Sequence, residues 1–208
     1  MSLLTRREAL AQALALGVLS CTGKDALAML AAFEEAEQRR PTPQAELGPF
    51  CKKGTPASSG VMRGPHDPGM PLKVSGRVFD VAGNSLEHAT IEIWQTDHLG
   101  HYDLEGFRYR AKLLSSGNGG YNFDSVMPGH YPDRVCQHIH YLVTAPGHRP
   151  LVTQLYFATD PVFEGDPAKN FTRDRLITSI ELVRPVVLAG NPKQMEASTS
   201  FDLVLERA

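Results

Sequence analysis

The chain has 208 residues, 42% of them hydrophobic, and a formal net charge of −2; this length suits one domain, at most two, with a real core. Charged residues at 21% exclude wholesale disorder, and 21 basic against 23 acidic side chains leave no footprint for nucleic acid or an anionic membrane. The 18 glycines and 15 prolines point to many turns and hence to a β-rich chain, while three cysteines are too few for a disulfide scaffold.

The N-terminus reads as an address. The basic pair Arg6-Arg7 is followed by a mildly apolar run, Ala11 to Leu19, and then by small residues. That order fits an export signal of the twin-arginine kind. Two processing sites present themselves. Cys21 ends a lipoprotein-like box and would become a lipid anchor, whereas Ala26-Leu27-Ala28 fits small-x-small cleavage. The competing reading is an amphipathic N-terminal helix. No uninterrupted apolar run of about 18 residues occurs, so no ordinary spanning helix is expected. The expected location is the periplasm or cell envelope, and the expected division is a signal over 1–28, an arm over 29–70 and the main domain over 71–208.

A short helical pattern (Leu27, Leu30, Phe33) stops at Pro41 and Pro43. Residues 41–71 carry Gly48-Pro49, Gly54, Gly60, Gly64-Pro65 and Pro68-Gly69, which predicts a long irregular arm. After Pro71 short runs of β-formers alternate with turns. Strands are predicted over 72–80, 88–96, 121–126, 138–145, 151–158, 178–187 and 200–206. Seven or so short strands with recurrent turns predict an all-β sandwich. The stretch His98 to Gly120, with glycines at 100, 106, 117 and 119, reads as a long loop excursion of functional type.

His138-Ile139-His140 is the first chemical signal. In a strand, residues i and i+2 leave one face, so two imidazoles would stand side by side. Tyr131, in the rigid turn Pro128-Gly129-His130-Tyr131-Pro132, precedes them, and Tyr102 follows the strand of Trp94. Taken singly, the tyrosines are ordinary core or turn aromatics and the histidines a weak metal signal. The order Ile93-Trp94-Gln95-Thr96-Asp97…Gly100…Tyr102, Tyr121…Phe123…Pro128-Gly129…Tyr131-Pro132, His138-Ile139-His140, Thr153-Gln154-Leu155-Tyr156-Phe157 with Asp160-Pro161 resembles the intradiol ring-cleavage dioxygenases. The likeness is to the catalytic-subunit type of the protocatechuate 3,4-dioxygenases and their exported relatives. Thr42-x-Gln44-x-Glu46-x-Gly48-Pro49-Phe50 resembles the segment that opens those domains, so the resemblance spans about residues 42–165.

The resemblance implies a non-haem Fe(III) held by Tyr102, Tyr131, His138 and His140. The donor chemistry agrees: phenolates are hard anionic donors suited to a hard, highly charged cation, which drives the tyrosine proton off. It also implies a small aromatic diol and O2 as substrates. Tyr131 would leave the iron and act as base, and the ring would open between the two hydroxyl-bearing carbons to a cis,cis-muconate. The family places an arginine three positions before the first histidine. Here Val135 stands there and Arg134 one earlier, so either a bulge turns Arg134 inward or the role is lost. Gln154 would contact the oxygenated intermediate or buttress the site, or simply satisfy the backbone. Trp94 is expected in the core. His101, Arg108 and Arg110 are cations that would suit a substrate carboxylate, without a fixed direction. Cys51 and Cys136 are compatible with one disulfide in an exported protein, or with two free thiols. The family is commonly oligomeric, which makes a homo-oligomer the expectation. The alternatives are a non-catalytic sandwich subunit of the same family, and a sandwich binding copper or zinc through His138 and His140 alone.

Overall fold

In the computed structural model the described residues are 39–132, 134–191 and 194–208. The predicted address over 1–28 and the helical pattern after it lie outside them. Residues from Arg39 onward form one compact unit. Among the described residues no helix is long and apolar enough to cross a membrane.

Among the described residues ten strands are formed: β1 (Pro71–Asp80), β2 (Thr90–Trp94), β3 (Arg110–Leu114), β4 (Gly120–Val126), β5 (His138–Thr144), β6 (Leu151–Phe157), β7 (Val183–Arg184), β8 (Val187–Asn191), β9 (Gln194–Ser200) and β10 (Leu203–Leu205). They form two five-stranded sheets. One runs β3-β2-β5-β6-β7; in the other, β1 pairs with β4 on one side and with β9 and β10 on the other, and β8 closes the edge beyond β9. Both are mixed sheets, since β1 runs parallel to β9 and β10, and β6 parallel to β7. This is a β-sandwich, as the alternation predicted.

Two local readings need correction. The His98–Gly120 excursion is not all loop: β3 lies inside it and pairs along its length with β2. The predicted strand over 178–187 is instead a 3-10 turn (Ile180–Leu182) followed by the two-residue β7, because Pro185 has no N–H to extend a ladder.

Strand alternation sorts β5 into two uses. Ile139, Tyr141 and Val143 face the second sheet, where Tyr141 packs against Tyr121, Phe123 and Phe201. His138 and His140 leave by the opposite face. That face is covered by the arm, which is stitched down rather than loose. Ala45 N donates to Val152 O (2.9 Å), Thr153 Oγ1 to Pro43 O (2.8 Å), Gln154 Nε2 to Glu46 O (2.6 Å) and Thr42 N to Val204 O (3.1 Å). Further along, Ser58 N reaches Lys112 O and Met62 N reaches Asp124 O. The arm thereby meets strands of both sheets and buries the polar row beneath it.

Candidate metal centre

The register of the first sheet sets out the site. Arg110, Trp94, His140 and Gln154 are successive cross-strand partners on β3, β2, β5 and β6, and His138 is paired with Tyr156. These side chains therefore share one face, away from the inter-sheet core. Trp94 stacks on His140 with centroids 5.0 Å apart and rings inclined by 2°. The expected core tryptophan is buried, but it backs the site rather than filling the core between the sheets.

The two tyrosines arrive from connections. Tyr102 lies between β2 and β3, Tyr131 between β4 and β5. The two connections touch backbone to backbone: Gly129 N donates to Asp97 O (2.7 Å) and Thr96 Oγ1 to Gly129 O (3.0 Å). Gly100, at φ +89°, lies against His130 O and Tyr131 Cβ, where no side chain would fit.

The four rings close a circuit. Centroid separations are 5.7 Å for Tyr102–Tyr131, 5.7 Å for Tyr131–His138, 4.9 Å for His138–His140 and 6.4 Å for His140–Tyr102. Phe50, from the arm, stacks on Tyr102 at 4.2 Å and meets Tyr131 edge-on at 6.1 Å. Gly48 brings the arm in: at φ +71° it lets the backbone pass His140 so closely that a Cβ there would sit 2.9 Å from Cε1.

Four polar atoms of this circuit are buried yet unused. Tyr102 Oη, His138 Nε2 and both ring nitrogens of His140 have no hydrogen-bond partner. Buried polar groups are normally satisfied, so a cluster of orphans calls for an absent partner. His138 Nδ1 donates to Cys136 O at 2.8 Å, since a carbonyl only accepts. That leaves Nε2 unprotonated, the form a metal needs. Burial, with Arg134 next, pushes the His138 pKa down to about 3. Burial first, then His138 and Arg134, hold His140 well below its ordinary value. Both imidazoles are thus neutral at pH 7. Burial first, then the Tyr131 phenol, raises the Tyr102 pKa, while Arg134 and Arg110 act in the other direction. A hard cation would invert that balance and bind the phenolate. Two phenols and two neutral imidazoles fit ferric iron. Among the described residues no cluster of three or more His, Cys, Asp or Glu offers a competing metal site.

Arg134 points inward. Its Nη2 donates to Gln154 Oε1 and Tyr156 Oη, both at 2.9 Å, and lies 3.5 Å from Asp174 Oδ2. Arg134 is 7% exposed and Val135 is 48% exposed. The alternation rule does not govern this pair because β5 starts only at His138; a turn closed by Arg134 N to Tyr131 O (2.9 Å) sets the direction instead. Gln154 has both ends engaged by protein, with Nε2 on Glu46 O (2.6 Å) and Oε1 accepting from Arg134 and from Tyr156 Oη (2.7 Å). It buttresses Arg134.

Other expected contributors lie elsewhere or do other work. Arg108 pairs with Asp67 at 2.7 Å, and His101 is exposed beside Asp97. Arg110 is buried and donates to Phe50 O at 2.8 Å, tying the arm over Tyr102. Cys51 and Cys136 are free thiols, so the suggested bridge between them is not made. A groove of about 630 Å³ lies on the second sheet, lined among others by Lys73, Asn122, Asp124 and Arg184, and takes in none of the four rings.

Sequence reasoning gave no place at the site to Phe50, Trp94, Tyr156 or Asp174, and considered Arg110 only for a substrate carboxylate. Phe50, Trp94 and Tyr156 carried a signal, each lying within a motif quoted above; Asp174 carried none.

Two tyrosines and two histidines thus meet at one site on a β-sandwich. The sequence profile described as Dioxygenase matches residues 48–207. The chain belongs to the intradiol dioxygenase family. It is 31% identical over 194 residues to a catechol 1,2-dioxygenase of Acinetobacter baylyi, covering 80% of this chain and 62% of that one. A hydroxyquinol 1,2-dioxygenase of Nocardioides simplex is 33% identical over 188 residues, covering 78% and 64% respectively. The solved dioxygenase domain of a dioxygenase–carbohydrate-binding fusion from Streptomyces sp. SirexAA-E superimposes with a TM-score of 0.70 at 34% identity, covering 81% of this chain and all of that one. The chain spans about three fifths of the length of these curated relatives.

Proposed function

We propose that this protein is an Fe(III)-dependent intradiol dioxygenase. Its substrates are a small catechol-type diol and O2, and its product is a cis,cis-muconate-type diacid. The observation that carries the reading is the closed circuit of Tyr102, Tyr131, His138 and His140, in which Tyr102 Oη, His138 Nε2 and both ring nitrogens of His140 are buried without a hydrogen-bond partner. Those four side chains would hold the ion, which supplies Lewis acidity and a template for both diol oxygens when bound.

The chain's own groups do the rest. His138 presents Nε2 because its Nδ1 proton is committed to Cys136 O. Tyr131, carried on a connection, would give up its phenol proton when the ion is loaded, and its phenolate Oη could then take the proton of a substrate hydroxyl. Arg134 faces the rings from behind and offsets negative charge on the diol, held in direction by Gln154, Tyr156 and Asp174. Phe50 and Trp94 close the space above Tyr102 and behind His140 and keep water out. A non-catalytic subunit would have no need for all four donors. The basic pair and apolar run within residues 1–28 support export to the periplasm or cell envelope, and N-terminal sequencing of the mature protein tests that.

Phenolate-to-Fe(III) charge transfer gives the test. The purified protein should absorb in the visible, added catechol should shift the band, and Tyr102→Phe should remove most of it. A colourless protein holding stoichiometric zinc would overturn the reading.

A further inference from the structure

Asp160 lies outside the circuit, on the connection after β6, and is 1% exposed. Its carboxylate is fully employed. Oδ1 accepts from Val162 N (3.0 Å), Oδ2 accepts from Gln137 N (2.7 Å), and His130 Nε2 stands 3.1 Å from each oxygen. The Val162 bond is local and caps the 3-10 turn Pro161–Phe163. The other two reach 23 and 30 residues back along the chain.

Their destinations are informative. Gln137 immediately precedes His138, and His130 immediately precedes Tyr131. One buried carboxylate thus holds the backbone next to one proposed ligand and the ring next to another. The same connection is closed on itself by Gln137 Nε2, which donates to Pro128 O at 2.8 Å. A turn cap alone does not require this: an exposed side chain such as Asp166 does it for the helix α1 (Pro167–Asn170), accepting from Lys169 N at 3.1 Å. Burying a carboxylate is costly unless its oxygens are satisfied, and here donors from the ligand-bearing connection supply that satisfaction.

We propose that Asp160 is a positioning residue for the metal ligands, fixing Tyr131 and His138 relative to each other from outside the site. The inference rests on reading the four rings as an iron centre. Partners of this kind orient ligands, and their loss typically costs about 10–100-fold in metal affinity.

The test compares Asp160→Ala, Asp160→Asn, His130→Ala and the control Asp166→Ala, each loaded with iron and each as apoprotein. Asp160→Ala should lose iron to a chelator about 10–100-fold more readily and move the charge-transfer band. Asp160→Asn should fall between, because its amide oxygen still accepts from Gln137 N. His130→Ala should move the band with a smaller loss of iron. Asp166→Ala should lower the apoprotein Tm while leaving band and iron retention alone. If Asp160→Ala does not fold, His130→Ala carries the test, since that ring is partly exposed. A coloured wild type whose band and iron retention survive the Asp160 and His130 changes overturns the proposal alone. A colourless wild type overturns the iron reading and the proposal with it.

Discussion

Gly48→Ala separates the arm's role in shaping the proposed metal centre from its role in stability. Two effects would follow. Gly48 sits at φ +71°, a left-handed conformation that costs an L-residue with a Cβ about 1–2 kcal/mol. In addition, the new methyl would lie 2.9 Å from His140 Cε1. His140 cannot retreat freely, because Trp94 is stacked on its ring. Gly147→Ala supplies the comparison: it has φ +73° and nothing within 4 Å of the added Cβ. Each change should cost about 1–2 kcal/mol from backbone strain, or roughly 2–8 °C in Tm for a domain of this size. Only Gly48→Ala should also displace the imidazole, weaken iron retention about 10-fold or more and move the charge-transfer band. The assay is a thermal melt of the apoprotein beside a visible spectrum and a chelator competition. If the two variants share the same spectrum and the same iron retention, the arm does not set the position of His140.

Acid should destabilise the apoprotein before its carboxylates titrate. The folded pKa of His138 lies near 3, below the unfolded value of 6.5, so the unfolded chain binds the extra proton and stability falls as pH drops through 6.5. By pH 5 the loss from this group is about 2 kcal/mol, and His140 adds to it in the same direction. Denaturant melts between pH 7 and pH 5 check this, and His138→Gln should flatten the slope. On substrate choice, neutral catechols should be turned over in preference to protocatechuate. Arg108 is committed to Asp67 and Arg110 to Phe50 O, which leaves neither to receive a ring carboxylate. A higher kcat/KM for protocatechuate than for catechol would refute that assignment.

The parts legible in the sequence were those governed by local periodicity. β1, β4, β5 and β6 follow from alternation, and the shared face of His138 and His140 from their spacing of two. β3 escaped because Arg-Ala-Lys-Leu-Leu holds no β-branched residue and stands among turn glycines; only its pairing with β2 makes it a strand. β8 is exposed throughout and has no inward face to betray it. Arg134 was ambiguous because alternation was extended past the first residue of β5. The stacking of Trp94 on His140, and the grip of Asp160 on residues next to Tyr131 and His138, join positions 20 or more apart in the chain. No spacing rule reaches them; they emerge only from strand register and from the packing of connections.

The nitrogen and oxygen halves of the centre are built on different footings. Both imidazoles belong to one interior strand, and moving one against the other means breaking pairs with β2 and β6. Both phenols hang on connections joined to each other through Gly100 and Gly129. The oxygen half is therefore the exchangeable one. Grafting a relative's β2–β3 and β4–β5 connections together would redraw the substrate side while the ladder under the histidines stays as it is. Grafting either connection alone would break the backbone junction between them.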